Sequence, residues 1–99
     1  MLIGRVIGSV VATHKDEKMR ELKLLVVQRH DERNRPLEES IVCVDAVGAG
    51  LHEMVLYCTG SSARQTKMTD ARPCDAVIFA VVDSWDVGGD VVFEKERGD

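Results

Sequence analysis

The chain has 99 residues, 44% hydrophobic and 30% charged, with a net charge of −4. It reads as one folded domain, 1–99, and its composition excludes a disordered polymer and any bilayer span of ~20 apolar residues. The acidic balance and only four aromatics (Tyr57, Phe79, Trp85, Phe93) argue against a phosphate-backbone binder or a base-stacking platform, so no nucleic-acid partner is expected.

Met1-Leu2-Ile3-Gly4-Arg5 lacks a basic region followed by an apolar run, so no signal peptide is expected and the cytoplasm is the default location. Leu2–Thr13 carries Ile3, Val6, Ile7, Val10 and Val11 at helical spacing, yet Gly4 and Gly8 interrupt it. Glycine costs about 1 kcal/mol in a helix interior and β-branched residues favour a pleat, so the segment reads as a strand, bent or bulged at a glycine. His14–Glu21 is a charged loop. Leu22–Gln28, a Leu and Val run between charges, is a strand. Arg29–Ser40 is the most polar stretch and reads as a connection centred on Asn34-Arg35-Pro36, where Asn tolerates positive φ and Pro fixes its own. Ile41–Val47 is a strand interrupted by Asp45.

Gly48-Ala49-Gly50 leads to the strand Glu53–Thr59. Gly60-Ser61-Ser62-Ala63-Arg64 follows, then the polar stretch Gln65–Arg72, which fits one helical turn capped by Ser61 or Ser62 and closed by Pro73. Asp75–Trp85, the longest apolar run, reads as one strand. Asp86–Gly89 is a turn, and Asp90–Glu94 is a short strand paired back on the one before it. This pattern predicts an all-β domain with small α content, a closed barrel or a sandwich, because closure removes exposed edges.

Little in the chain points to chemistry. Cys43, Cys58 and Cys74 form no C-x-x-C pair and read as reduced small hydrophobes. His14, His30 and His52 lack ligand spacing, and Ser61 and Ser62 lack a nucleophile elbow, so no metal, cofactor or catalytic residue is assigned. Gly60–Arg64 is the one polar constellation: its small residues expose backbone amides and Arg64 adds a planar cation. It can be a nest for an anion, or Arg64 can pair with a carboxylate or carbonyl of a neighbouring subunit, which is the favoured reading. Gly48-Ala49-Gly50 either brings backbone close to a symmetry axis or a ligand, or only supplies a positive-φ turn.

Taken in order and spacing, five landmarks are more specific than any one. They are Ile3-Gly4-Arg5-Val6-Ile7-Gly8-Ser9-Val10-Val11-Ala12-Thr13, Lys23-Leu24-Leu25-Val26-Val27, Val44-Asp45-Ala46-Val47-Gly48-Ala49-Gly50, Gly60-Ser61-Ser62-Ala63-Arg64-Gln65, and Pro73-Cys74-Asp75 leading to Val81-Val82-Asp83. Together they resemble the EutN/CcmL family of bacterial microcompartment vertex proteins, from Leu2 to about Lys95. The resemblance implies a five-stranded, OB-like β-barrel with a short helix, forming a cyclic homopentamer. That pentamer would cap the vertices of a cytoplasmic polyhedral shell whose other tiles are hexameric shell proteins. The resemblance brings no catalytic residue.

Small residues permit close backbone approach, so the expected subunit interface is Gly48, Ala49, Gly50, Gly60, Ser61, Ser62, Ala63 and Arg64, with part of Ile3–Val11. The family usually has glycine where this chain has His52, and its Gly-Ile/Val-Val-Asp strand becomes Ala80-Val81-Val82-Asp83 here. Two alternatives from other classes are an OB-fold nucleic-acid-binding protein and a small-ligand-binding protein using the Gly60–Arg64 nest.

Overall fold

The computed structural model describes residues 1–13, 17, 22–60 and 76–97. Its strands are β1 (Leu2–Val10), β2 (Leu24–His30), β3 (Pro36–Asp45), β4 (Met54–Thr59), β5 (Ala76–Val81), β6 (Ser84–Val87) and β7 (Asp90–Glu94), and a 3-10 turn, Lys95–Arg97, follows. β1, β2, β3, β5 and β4 close into a barrel in that order, and β4 returns to pair with β1. Neighbouring barrel strands are antiparallel except β3 and β5, which run parallel through Val44–Val77 and Asp45–Ile78. β6 and β7 form a separate hairpin. The all-β expectation and the five-stranded barrel both hold.

Alternation along the strands divides the apolar residues between two clusters. Val6, Leu25, Val27, Cys43, Ala49, Val55, Tyr57, Ala76 and Ile78 make the main core. Leu22, Val44 and Val77 make a second cluster, joined by Leu24, Ala46 and Cys58. Cys43 and Val44, Tyr57 and Cys58, and Val77 and Ile78 are sequence neighbours serving opposite clusters. Cys43 and Cys58 pack as small apolar groups, as expected; Cys74 lies outside the described residues.

β1 contains the expected bulge. Against β2, Val6 faces Val27 while Gly8 faces Val26, so Ile7 is the extra residue. That one-residue slip puts the two halves of the strand out of phase, which is why their apolar residues also fit a helical period. Gly4 is the other special position: a Cβ there would lie 2.5 Å from the Gln28 carbonyl oxygen and 2.7 Å from Val27 Cγ1. Glycine lets β1 pass this close to β2.

Several element boundaries need correction: β1 stops at Val10 rather than Thr13, the strand read as Ile41–Val47 ends at Asp45, β4 begins at Met54 rather than Glu53, and Asp86 and Val87, read as turn, belong to β6. The strand read as Leu22–Gln28 runs from Leu24 to His30, and Leu22 is a buried flank. The polar connection Arg29–Ser40 is mostly hairpin, because β3 begins at Pro36, paired with His30. There the strand has solvent near both faces, so Glu38, Glu39 and Ser40 give no apolar alternation, although Gln28 Nε2 donates to the Leu37 carbonyl at 2.9 Å and Arg29 pairs with Glu39. Asn34 does supply the expected positive φ, 62°. Finally, Asp75–Trp85 is two strands. The chain leaves the barrel at Val82, whose N–H donates to the Met54 carbonyl at 2.8 Å, and Asp83 then accepts from the Lys95 N–H at 2.8 Å.

That departure seats the β6–β7 hairpin. Trp85 and Phe93 stack with ring centroids 5.3 Å apart, Phe93 is buried, and Trp85 Nε1 donates to the Glu32 carbonyl at 2.9 Å. The predicted helical turn at Gln65–Arg72 and the loop His14–Glu21, Glu17 apart, fall outside the described residues.

Candidate subunit interface

Two consecutive turns, Asp45–Ala49 and Gly50–Glu53, carry the chain from β3 to β4. Asp45 organises the first. Its Oδ1 accepts the N–H groups of Val47, Gly48 and Ala49 at 3.1, 3.0 and 3.1 Å. The side chain is buried, and these three donors replace water around its oxygen. Lys23 Nζ lies 3.8 Å from Asp45 Oδ2 and donates to the Ala49 carbonyl at 3.2 Å. Wrapping three amides around one oxygen drives Gly48 to φ 78°, which is why glycine stands there. Ala49 points inward and is wholly buried in the main core.

The second turn is closed by Glu53. Its N–H donates to the Gly50 carbonyl at 3.2 Å, and its Oε1 accepts the Gly50 N–H at 2.6 Å. Its Oε2 takes the Lys95 ammonium at 2.7 Å. The Lys95 bond first, and then the Gly50 amide, hold the Glu53 carboxyl below its ordinary pKa of 4.5, while Glu53 raises Lys95 above 10.5. Two backbone bonds fasten the turn to β1 beside the bulge: the His52 N–H donates to the Val6 carbonyl at 2.8 Å, and the Val6 N–H donates to the Glu53 carbonyl at 2.9 Å. Arg5 Nη1 also reaches the His52 carbonyl, at 3.3 Å. His52 pays for this docking with φ 71°.

The result is an apolar shelf. The β1 bulge and the turn tip together line a shallow hollow of about 420 Å³, with Ile7, Gly8, Gly50 and Leu51 on its wall. Ile7 is 43% exposed and Leu51 59%. Large apolar side chains standing this far into solvent side by side mark a surface suited to association. The structure therefore brings Gly50 and part of Ile3–Val11 together on the wall of this hollow, with Ala49 buttressing them from behind; Gly48 is exposed nearby in the chain but does not line it. Gly60 ends the described part of its segment at φ 68°; Ser61, Ser62, Ala63 and Arg64 lie outside the described residues.

Leu51, Glu53 and Lys95 were not singled out in the sequence. Glu53 had a usable signal, since a carboxylate three residues after a glycine can close a turn. Lys95 had none, because only the fold brings it to a residue 42 positions away. Elsewhere among the described residues, the buried His30 bonds Asn34 through Nδ1 and Oδ1 at 2.8 Å, and no three His, Cys, Asp or Glu residues gather in metal-ligand geometry.

The family described as ethanolamine utilisation protein EutN/carboxysome matches residues 1–83. The carboxysome shell vertex protein CcmL of Gloeobacter violaceus is 42% identical over 96 residues, 97% of this chain and 96% of that protein. A solved structure of Gloeobacter violaceus CcmL matches with a TM-score of 0.93, covering 97% of this chain and 99% of that one. The microcompartment shell vertex protein EutN of Salmonella typhimurium is 37% identical over 95 residues, 96% of each chain. The GrpN pentameric microcompartment shell protein of Rhodospirillum rubrum matches with a TM-score of 0.81 at 42% identity, covering 88% of this chain and 99% of that one.

Proposed function

The chain belongs to the EutN/CcmL family, and from that premise we propose that it is a structural shell protein: five copies close into a ring that caps a vertex of a polyhedral bacterial microcompartment in the cytoplasm. The observation that carries this reading is the match, over nearly the whole chain, to a shell protein described as pentameric. Its partners are further copies of itself and the hexameric tiles that surround a vertex. Hexagonal tiles alone lie flat, and a closed polyhedron needs five-fold corners. The product of this protein is geometry, and no residue is given a catalytic role.

A cyclic ring repeats one heterologous contact until it closes, so each subunit offers two different faces. The shelf at Ile7, Gly8, Gly50 and Leu51 has the properties of one such face. It is apolar, it bears glycines that admit a neighbouring backbone, and hydrogen bonds to Asp45, Glu53 and Val6 hold its loop in place before any partner arrives. Gly48 belongs to the same contact, and Gly60, Ser61, Ser62, Ala63 and Arg64 belong to the ring's interfaces as well.

Co-expression with hexameric shell tiles tests the role. Closed polyhedral particles in the presence of this chain, and open or tubular assemblies in its absence, are expected. Shells that seal equally well without it would overturn the proposal.

A further inference from the structure

The shelf is tied to a part of the chain far away in sequence. Glu53 uses both carboxylate oxygens, one for the Gly50 N–H at 2.6 Å and one for Lys95 Nζ at 2.7 Å. Lys95 is itself placed by its N–H, which donates to the Asp83 carbonyl at 2.8 Å where the chain leaves the barrel for β6. The base of the β6–β7 hairpin therefore reaches Gly50 through one carboxylate. Leu51, the most protruding member of the shelf, sits between Gly50, held by Glu53, and His52, held by Val6.

We propose that the Glu53–Lys95 pair is a brace through which the β6–β7 hairpin sets the shape of the Gly50–His52 turn and so the strength of the ring contact. This rests on the shelf being that contact. A glutamate bonded at both oxygens is confined to one rotamer. Without Lys95, Oε2 turns to solvent, the side chain regains its freedom, and the Gly50 amide loses a fixed acceptor. The other charged or titratable groups around the pair are Arg5, bonded to the His52 carbonyl, His52 itself, Asp83 next to Lys95, and Glu94 and Glu96 on either side of Lys95. None of their side chains is bonded to either Glu53 oxygen, so none replaces Lys95. Because the pair is half-exposed, salt weakens it, and the ring contact inherits that sensitivity.

Lys95 is thus a positioning residue, and conservative rescue separates that role from simple packing. Ring dissociation on dilution is followed by mass photometry, and hydrogen exchange of residues 50–52 by mass spectrometry, for wild type, Lys95→Met, Lys95→Arg, Glu53→Gln and the Lys95→Met/Glu53→Gln double variant. Arg29→Met, which breaks the surface pair with Glu39, is the control. Lys95→Met and Glu53→Gln each weaken the ring on the order of five-fold and speed exchange at the turn, and the double variant is no worse than either single one. Lys95→Arg restores both readouts, and Arg29→Met moves neither. Wild-type dissociation and exchange in Lys95→Met overturn the brace. If wild type is a monomer at every concentration, it is the assignment of the contact that fails. The exchange arm then decides the brace alone: faster exchange at 50–52 in Lys95→Met supports it, and unchanged exchange overturns it.

Discussion

The N–H of His52 donates to the carbonyl of Val6 at 2.8 Å while His52 stands at φ 71°. The two facts are linked: the left-handed backbone turns that amide toward β1 and presents Leu51 to solvent. An L residue with a Cβ is strained in this region by about 1–2 kcal/mol, and glycine is not. Glycine would hold this left-handed backbone without strain, and histidine holds it here at a cost.

His52→Gly should accordingly stabilise the chain by roughly 0.5–1 kcal/mol, since the relieved strain exceeds the extra freedom glycine gives the unfolded state. Urea denaturation followed by the fluorescence of Trp85 measures it. A less stable His52→Gly variant contradicts the account of the turn.

Gly4→Ala should destabilise by about 1–3 kcal/mol, the usual effect of overpacking. The added methyl meets the Gln28 carbonyl oxygen at 2.5 Å, a backbone atom that cannot rotate away. The melting temperature of Gly4→Ala should fall, and a value equal to wild type would contradict the close approach of β1 to β2.

Asp45→Ala leaves three amides without their acceptor and should cost about 3 kcal/mol, as hydrogen bonds to a buried charged group do. Asp45→Asn keeps one oxygen and should lose less. Equal losses would mean that Lys23, not the amide nest, is what Asp45 serves.

Two titrations have determined signs. Glu53 has a depressed pKa, so its contribution to stability is complete above pH 4.5 and disappears as pH falls through its lower folded value. Lys95 has a raised pKa, so its contribution is complete below pH 10.5 and disappears as pH rises further. Glu53→Gln should flatten both flanks of a melting-temperature profile. Tyr57, the single tyrosine, is pushed above its ordinary value of 10.0 chiefly by burial. Its phenolate absorbance should rise at higher pH in the folded chain than in urea, and coincident titrations would contradict its place in the core.

What the sequence made legible follows from range. The bulge in β1, the turn at Asn34 and the glycine at Gly48 rest on local backbone preferences, and all three were readable. The strand Pro36–Ser40 was hidden because solvent near both of its faces erases the apolar alternation that marks a strand. The break at Val82-Asp83 was hidden because its cause, pairing with Met54 and Lys95, is tertiary. In the candidate contact the glycines were visible and the apolar members were not. Ile7 and Leu51 look like core residues in a linear reading, and only the closed barrel shows that they are left outside.

A ring of five built on that shelf has a definite mass, which native mass spectrometry of the purified chain, beside Leu51→Glu, reads out. One species of about 55 kDa, five copies of the 11.0 kDa chain, is expected for wild type, and a folded 11.0 kDa monomer for the variant. A wild-type chain that is monomeric at micromolar concentration, or a Leu51→Glu chain that still closes into the same ring, would contradict it.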